Sequence, residues 1–172
     1  DSSPVTVADT AAEEIITRGL QTLTPNIPIV AEEAASAGYL PDISGGTFWL
    51  VDPLDGTREF LKRNGEFTVN IGLVHERVPV LGVVYAPTFN DLYSGGEQMG
   101  AIRISGKSAP SAIRVRKIPM SGVTVVASRH HNSQEEANDL VNGRSVAERK
   151  TTGSSIKFCL VAAGEADFYL RH

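Results

Sequence analysis

The spacing of apolar and polar positions changes several times along the chain, and each change marks an element. From Thr10 the pattern is helical: Ile16, Leu20 and Leu23 recur at i, i+4 and i+7. Thr10 and Glu13 have capping-box spacing, and Thr24-Pro25-Asn26 stops the helix. Ile27 to Val30 reads as a short strand that Pro28 confines to a sheet edge. Tyr39 to Gly46, rich in Pro, Ser and Gly, is a loop, and Phe48 to Val51 is a short buried strand. Phe67, Val69, Ile71 and Leu73 then alternate with Glu66, Thr68, Asn70 and Gly72, a strand with one buried face. Across the turn at His75-Glu76-Arg77, Val78 to Tyr85 completes an antiparallel hairpin. Asp91 to Ser94, Ala101 to Ile104 and Ile113 to Arg116 are further short strands. Past a boundary near Pro119-Met120-Ser121-Gly122, Val123 to Ala127 reads as a strand buried on both faces. A helix over Gln134 to Val141, a strand at Val146 to Glu148, a helix opened by Gly153-Ser154-Ser155 and a strand at Phe168 to Leu170 follow. That boundary divides the chain into 1–118, a larger α+β unit, and 119–172, a smaller α/β unit.

Chemistry is concentrated where the central strand ends. Phe48-Trp49-Leu50-Val51 delivers Asp52-Pro53-Leu54-Asp55-Gly56-Thr57. Two aspartates this close repel unless a cation lies between them, and oxygen ligands suit a hard cation such as Mg²⁺. Pro53 presets one φ angle, Gly56 allows close backbone approach, and the amides of Gly56 and Thr57 open a helix-compatible segment suited to an anion. Asp-Pro-x-Asp-Gly is also ordinary turn chemistry. Asp9, likewise, reads as a helix-cap residue, and Glu32-Glu33 as solvated acids after a strand.

Composition narrows the field. The 172 residues are 41% hydrophobic and 21% charged, enough for a sizeable core. A net charge of −4 argues against a nucleic-acid polymer as partner. The single cysteine, Cys159, lies in an apolar run as a core thiol, and a reduced, cytoplasmic setting fits. No run is apolar enough to span a membrane.

Trp49 to Thr57 resembles the metal-binding motif of the inositol monophosphatase superfamily. Arg58-Glu59-Phe60 and Gly153-Ser154-Ser155-Ile156-Lys157-Phe158 resemble its 3′(2′),5′-bisphosphate nucleotidase (CysQ) branch. The resemblance implies an α/β (α+β) fold, a layered α-β-α-β-α sandwich, here incomplete at both ends. It implies that Glu32, Asp52, Asp55 and the Leu54 carbonyl bind Mg²⁺. It further implies that the Gly56 and Thr57 amides hold phosphate, and that Asp9 and the Thr57 hydroxyl orient the attacking water. Ser154 and Lys157 would meet the nucleotide or its second phosphate. Arg129, His131 and Arg171 are candidates for the same anionic or adenine end, or ordinary surface charge. The implied activity is hydrolysis of adenosine 3′,5′-bisphosphate, and of 3′-phosphoadenylyl sulfate as a further substrate. Inositol or sugar monophosphate hydrolysis and a non-catalytic nucleotide-binding role are the alternatives; a homodimer is left open. The family carries a further aspartate after a tryptophan beyond the segment matching Phe168 to His172. The expectation is that the gene continues into it and that a chain ending at His172 turns over poorly.

Overall fold

The computed structural model describes residues 5–128 and 143–170. Its centre is strand β2 (Thr47–Asp55), flanked by β1 (Ile29–Ala31) in parallel and by β3 (Thr68–His75) in antiparallel. Strands β4 (Val78–Ala86), β5 (Asp91–Gly96), β6 (Gly100–Ser105) and β7 (Ser111–Ile113) continue the sheet in chain order, giving seven strands in the order β1 to β7. β1 lies at the edge, as Pro28 requires. A second, all-parallel sheet has the order β10 (Phe168–Leu170), β8 (Val123–Ala127), β9 (Val146–Thr151). Val123, Val125 and Val126 are almost completely buried, in keeping with a central parallel strand.

Helix α1 (Val7–Leu23) begins three residues earlier than its periodicity indicates. The capping box is Thr6 with Asp9, not Thr10 with Glu13: the Thr6 amide donates to Asp9 Oδ2 at 2.8 Å. Val7 and Ala8 carry no apolar stripe, so the register could not reveal them. Ile16 and Leu20 pack on Trp49, Ala31 and Val51, and the Trp49 indole donates to Thr24 Oγ1 at 2.9 Å. The remaining helices among the described residues are α2 (Glu32–Ser36), α3 (Thr57–Leu61) and α4 (Ile156–Ala162), the last starting later than Gly153. The expected helix over Gln134 to Val141 lies outside the described residues.

The two sheets are tied by charge. Arg103 on β6 donates to Asp91 at 2.6 Å and to Glu165, beyond α4, at 2.7 Å. Arg116, which follows β7 instead of extending it, donates to Asp167 at 2.7 Å. Among the described residues, the face of the large sheet turned away from α1 is left partly uncovered, with Leu50 45% exposed. Leu50, Val30 and Val84 line an apolar recess of about 950 Å³ there, with Asp52 and Asn70 at its polar end.

Candidate active site

Strand β2 does not stop before its aspartates; it runs through both. In a regular strand, residues three apart face opposite sides of the sheet. Here the ladder pairs Asp52 with Asn70 and Asp55 with Thr68, three steps on β2 against two on β3. One extra residue is therefore accommodated as a bulge, and Asp52 and Asp55 lie opposite two β3 residues that share a face. Asn70 Nδ2 donates to Asp52 Oδ2 at 3.3 Å, and Asp52 Oδ1 accepts from the Leu54 amide at 3.1 Å. Thr68, expected on a solvated face of β3, is fully buried under Asp55.

Asp55 is held from the other side. Its Oδ2 accepts from the hydroxyls of Ser154 at 2.8 Å and Ser155 at 2.9 Å, and Ser154 shares a further hydrogen bond with Thr68. Ser154, expected near the nucleotide or its second phosphate, here donates to a carboxylate, and Ser155, Thr68 and Asn70, which the sequence did not single out, also touch the two aspartates. The approach is close because Gly56 and Gly153 lack side chains. A Cβ on Gly153 would lie 2.9 Å from the Glu66 carbonyl oxygen. A Cβ on Gly56, whose φ is +94°, would lie 3.1 Å from the same oxygen.

Asp9, 2% exposed, does two jobs. Oδ2 caps its own helix and Oδ1 accepts the Thr57 hydroxyl at 3.4 Å; that hydroxyl also lies 3.3 Å from the Leu54 carbonyl oxygen. The cap expected of this residue is present, and the same side chain also reaches Thr57. Glu32 opens α2, directly after β1 pairs Ala31 with Val51. Glu13, one helical turn beyond Asp9, accepts from the amides of Glu33 at 2.7 Å and Ala34 at 2.9 Å.

Acids therefore crowd one end of the sheet. Burial first, and then the Asp55 and Glu32 carboxylates, push the Asp52 carboxyl up to about 7. Burial and the charges of Asp9, Glu32 and Glu13 raise Glu33 in the same direction. Among the described residues, no three His, Cys, Asp or Glu side chains form a ready-made metal group. Asp55 Oδ2 is occupied by hydroxyls and Asp52 is turned toward Asn70. The donor set nonetheless fits a hard cation: it is all oxygen, its charges repel, and the Asn70 Oδ1 beside Asp52 is buried without a hydrogen-bond partner.

A cavity of about 250 Å³ opens beside this cluster, lined by Asp55, Gly56, Ser154, Lys157 and Tyr169 among others. The buried Lys157 ammonium donates to the Ser154 carbonyl oxygen and lies 5.5 Å from the Tyr169 ring centroid. Arg129, His131 and Arg171 lie outside the described residues. No helix among the described residues is long and apolar enough to cross a membrane.

Residues 1–172 match the profile described as the Inositol monophosphatase family. A curated protein of Escherichia coli named 3′(2′),5′-bisphosphate nucleotidase CysQ is 47% identical over 99% of this chain and 67% of its own length. The Salmonella typhimurium protein of the same name is 46% identical, with the same coverage. Among solved structures, CysQ from Bacteroides thetaiotaomicron, 39% identical, superposes with a TM-score of 0.78 over 99% of this chain and 68% of its own. An inositol monophosphatase from Anabaena (Nostoc), 29% identical, superposes with a TM-score of 0.77 over 96% of this chain and 65% of its own. The chain thus spans 67% of the length of these two curated relatives.

Proposed function

The chain belongs to the inositol monophosphatase family of metal-dependent phosphatases, and from that premise we propose that it removes the 3′-phosphate of adenosine 3′,5′-bisphosphate in a Mg²⁺-dependent reaction. The observation that carries the reading is the pairing of Asp9 with Thr57 beside the Asp52–Asp55 bulge, in a chain 46–47% identical to proteins named bisphosphate nucleotidases. The Glu32, Asp52 and Asp55 carboxylates and the Leu54 carbonyl would hold Mg²⁺, which when bound offsets phosphate charge and lowers the pKa of water.

The other parts follow from the chain itself. The Thr57 hydroxyl donates to Asp9 Oδ1 and keeps lone pairs that can accept from a water. Asp9 then fixes the direction of that water and takes the proton it loses, through Thr57. A binding protein has no use for such a pair, which favours catalysis over a non-catalytic role. The Gly56 and Thr57 amides at the start of α3 would hold the departing phosphate. Ser154 and Ser155 keep Asp55 oriented, and Lys157 gives the neighbouring cavity a cation for a second phosphate. With this reading goes the division into units 1–118 and 119–172: strands on either side of the boundary belong to different sheets, and the cavity is lined from both.

The test compares phosphate release from adenosine 3′,5′-bisphosphate and from inositol 1-phosphate, with and without Mg²⁺. Higher kcat/KM on the bisphosphate, lost in Asp55→Asn with the fold retained, is the expected result. Higher kcat/KM on inositol phosphate would move the chain to the monophosphatase branch.

A further inference from the structure

Glu13 is 8% exposed, carries a carboxylate and has no part in the mechanism above. Its partners show what it does. Helix α2 begins at Glu32, and its N-cap residue, Ala31, has no side chain able to accept from the first-turn amides. Glu13, about twenty residues earlier in the chain and on another helix, supplies two of the missing acceptors: Oε2 to the Glu33 amide and Oε1 to the Ala34 amide. A carboxylate with both oxygens on a helix N-terminus is also favoured by the helix dipole.

The clamp joins two parts of the site. Asp9 and Glu13 are four residues apart on α1, so they project from one face of that helix. Asp9 reaches Thr57 while Glu13 reaches the residues immediately after Glu32. On its other side Glu32 is anchored by the pairing of Ala31 with Val51, one residue before Asp52. Glu32 therefore sits between two fixed points, the β1–β2 ladder and the Glu13 clamp, in a helix of only five residues that has no other cap.

We propose that Glu13 is a positioning residue: by clamping the first turn of α2 to α1, it holds the Glu32 carboxylate where it meets Asp52 and fixes both relative to Asp9. This rests on the metal-dependent reading above. A purely structural cap would cost stability alone. A positioning clamp also weakens cation binding, and the loss of groups that orient metal ligands typically costs about 10–100-fold in metal affinity.

The experiment uses Glu13→Gln, which keeps the shape but can accept on one atom only and turns an N–H₂ group toward the second amide. Mg²⁺ binding is followed by calorimetric titration and by the Mg²⁺ dependence of the melting temperature, beside the Mg²⁺ concentration giving half-maximal phosphate release. Val125→Ala, in the core of the small sheet and away from α1 and α2, serves as a variant of comparable stability loss. The expected result is a rise of about tenfold or more in the Mg²⁺ dissociation constant for Glu13→Gln, matched in the half-maximal concentration, and none for Val125→Ala. Should Glu13→Gln not fold, Glu13→Asp, which retains the charge but withdraws it by one methylene, is read in the same way. A variant that melts lower yet binds Mg²⁺ as the wild type does overturns the positioning role. A wild-type protein that binds no Mg²⁺ overturns the metal reading itself, and that outcome is visible before any variant is made.

Discussion

Asp9 offers a separation of two roles within one side chain. Oδ2 caps α1 through Thr6, and Oδ1 holds the Thr57 hydroxyl. In Asp9→Asn the single carbonyl oxygen can keep the Thr6 contact while the amide nitrogen faces Thr57. The Thr57 proton must then turn to the Leu54 carbonyl, 3.3 Å away, and no base is left for the water. Even a complete loss of the cap would cost only about 1 kcal/mol, a shift of about 2–4 °C in the melting temperature of a chain of this size. Losing a positioned general base lowers kcat by about 10²–10⁴, equal to about 3–5 kcal/mol of barrier. The kinetic effect should therefore far exceed the stability effect. Thr57→Val also leaves the Thr6 cap intact, so it should lower kcat similarly with little change in melting. Because the two residues act as one unit, the double variant should lose little more than either single one. The assay is kcat at saturating Mg²⁺ beside the melting temperature for wild type, both single variants and the double. A kcat for Asp9→Asn within about threefold of wild type would refute the reasoning, since a base is worth about a hundredfold or more, and would leave Asp9 as a cap. Fully multiplicative losses in the double variant would show two independent residues.

Three further outcomes follow from the same structure. Lys157→Ala should reduce kcat/KM on the bisphosphate more than on a simple monophosphate ester, because its ammonium adds binding energy only where a second phosphate is present; equal losses would remove it from the specificity site. Its hydrogen bond from Arg116, with the Thr124 amide assisting, holds the Asp167 carboxyl below the ordinary range despite burial. The stability this contributes is present above the unfolded value of about 3.9 and is lost as pH falls through the lower folded value. Melting curves should therefore drop less steeply with acid in Arg116→Ala than in wild type, and parallel curves would contradict this. Burial pushes the Cys159 thiol up to about 12, so the native protein should resist thiol reagents at about pH 8 and react once unfolded; rapid native labelling would place Cys159 at the surface.

Much of this molecule was legible in the chain. The alternation at Phe67 to Leu73 and the turn at His75-Glu76-Arg77 specify the hairpin, the valines at 123, 125 and 126 specify a strand buried on both sides, and Pro28 marks an edge, because each depends on neighbours a few residues away. Part of the candidate site was visible for the same reason: the Asp52 and Asp55 carboxylates and the Thr57 hydroxyl occur in one short segment. Tertiary structure alone decided their orientation. Asp52 and Asp55, three apart, reach a common face because β3 pairs across a bulge, and a bulge is a property of two strands rather than one. The hydroxyls that hold Asp55 come from Ser154 and Ser155, about a hundred residues later, and the cap of α2 comes from Glu13 on another helix. Locally, Glu13 is one more acid on a helix and Ser154 one more residue before a helix. Hydrogen bonds form between atoms that packing brings together, and sequence spacing predicts them only where the partners share an element.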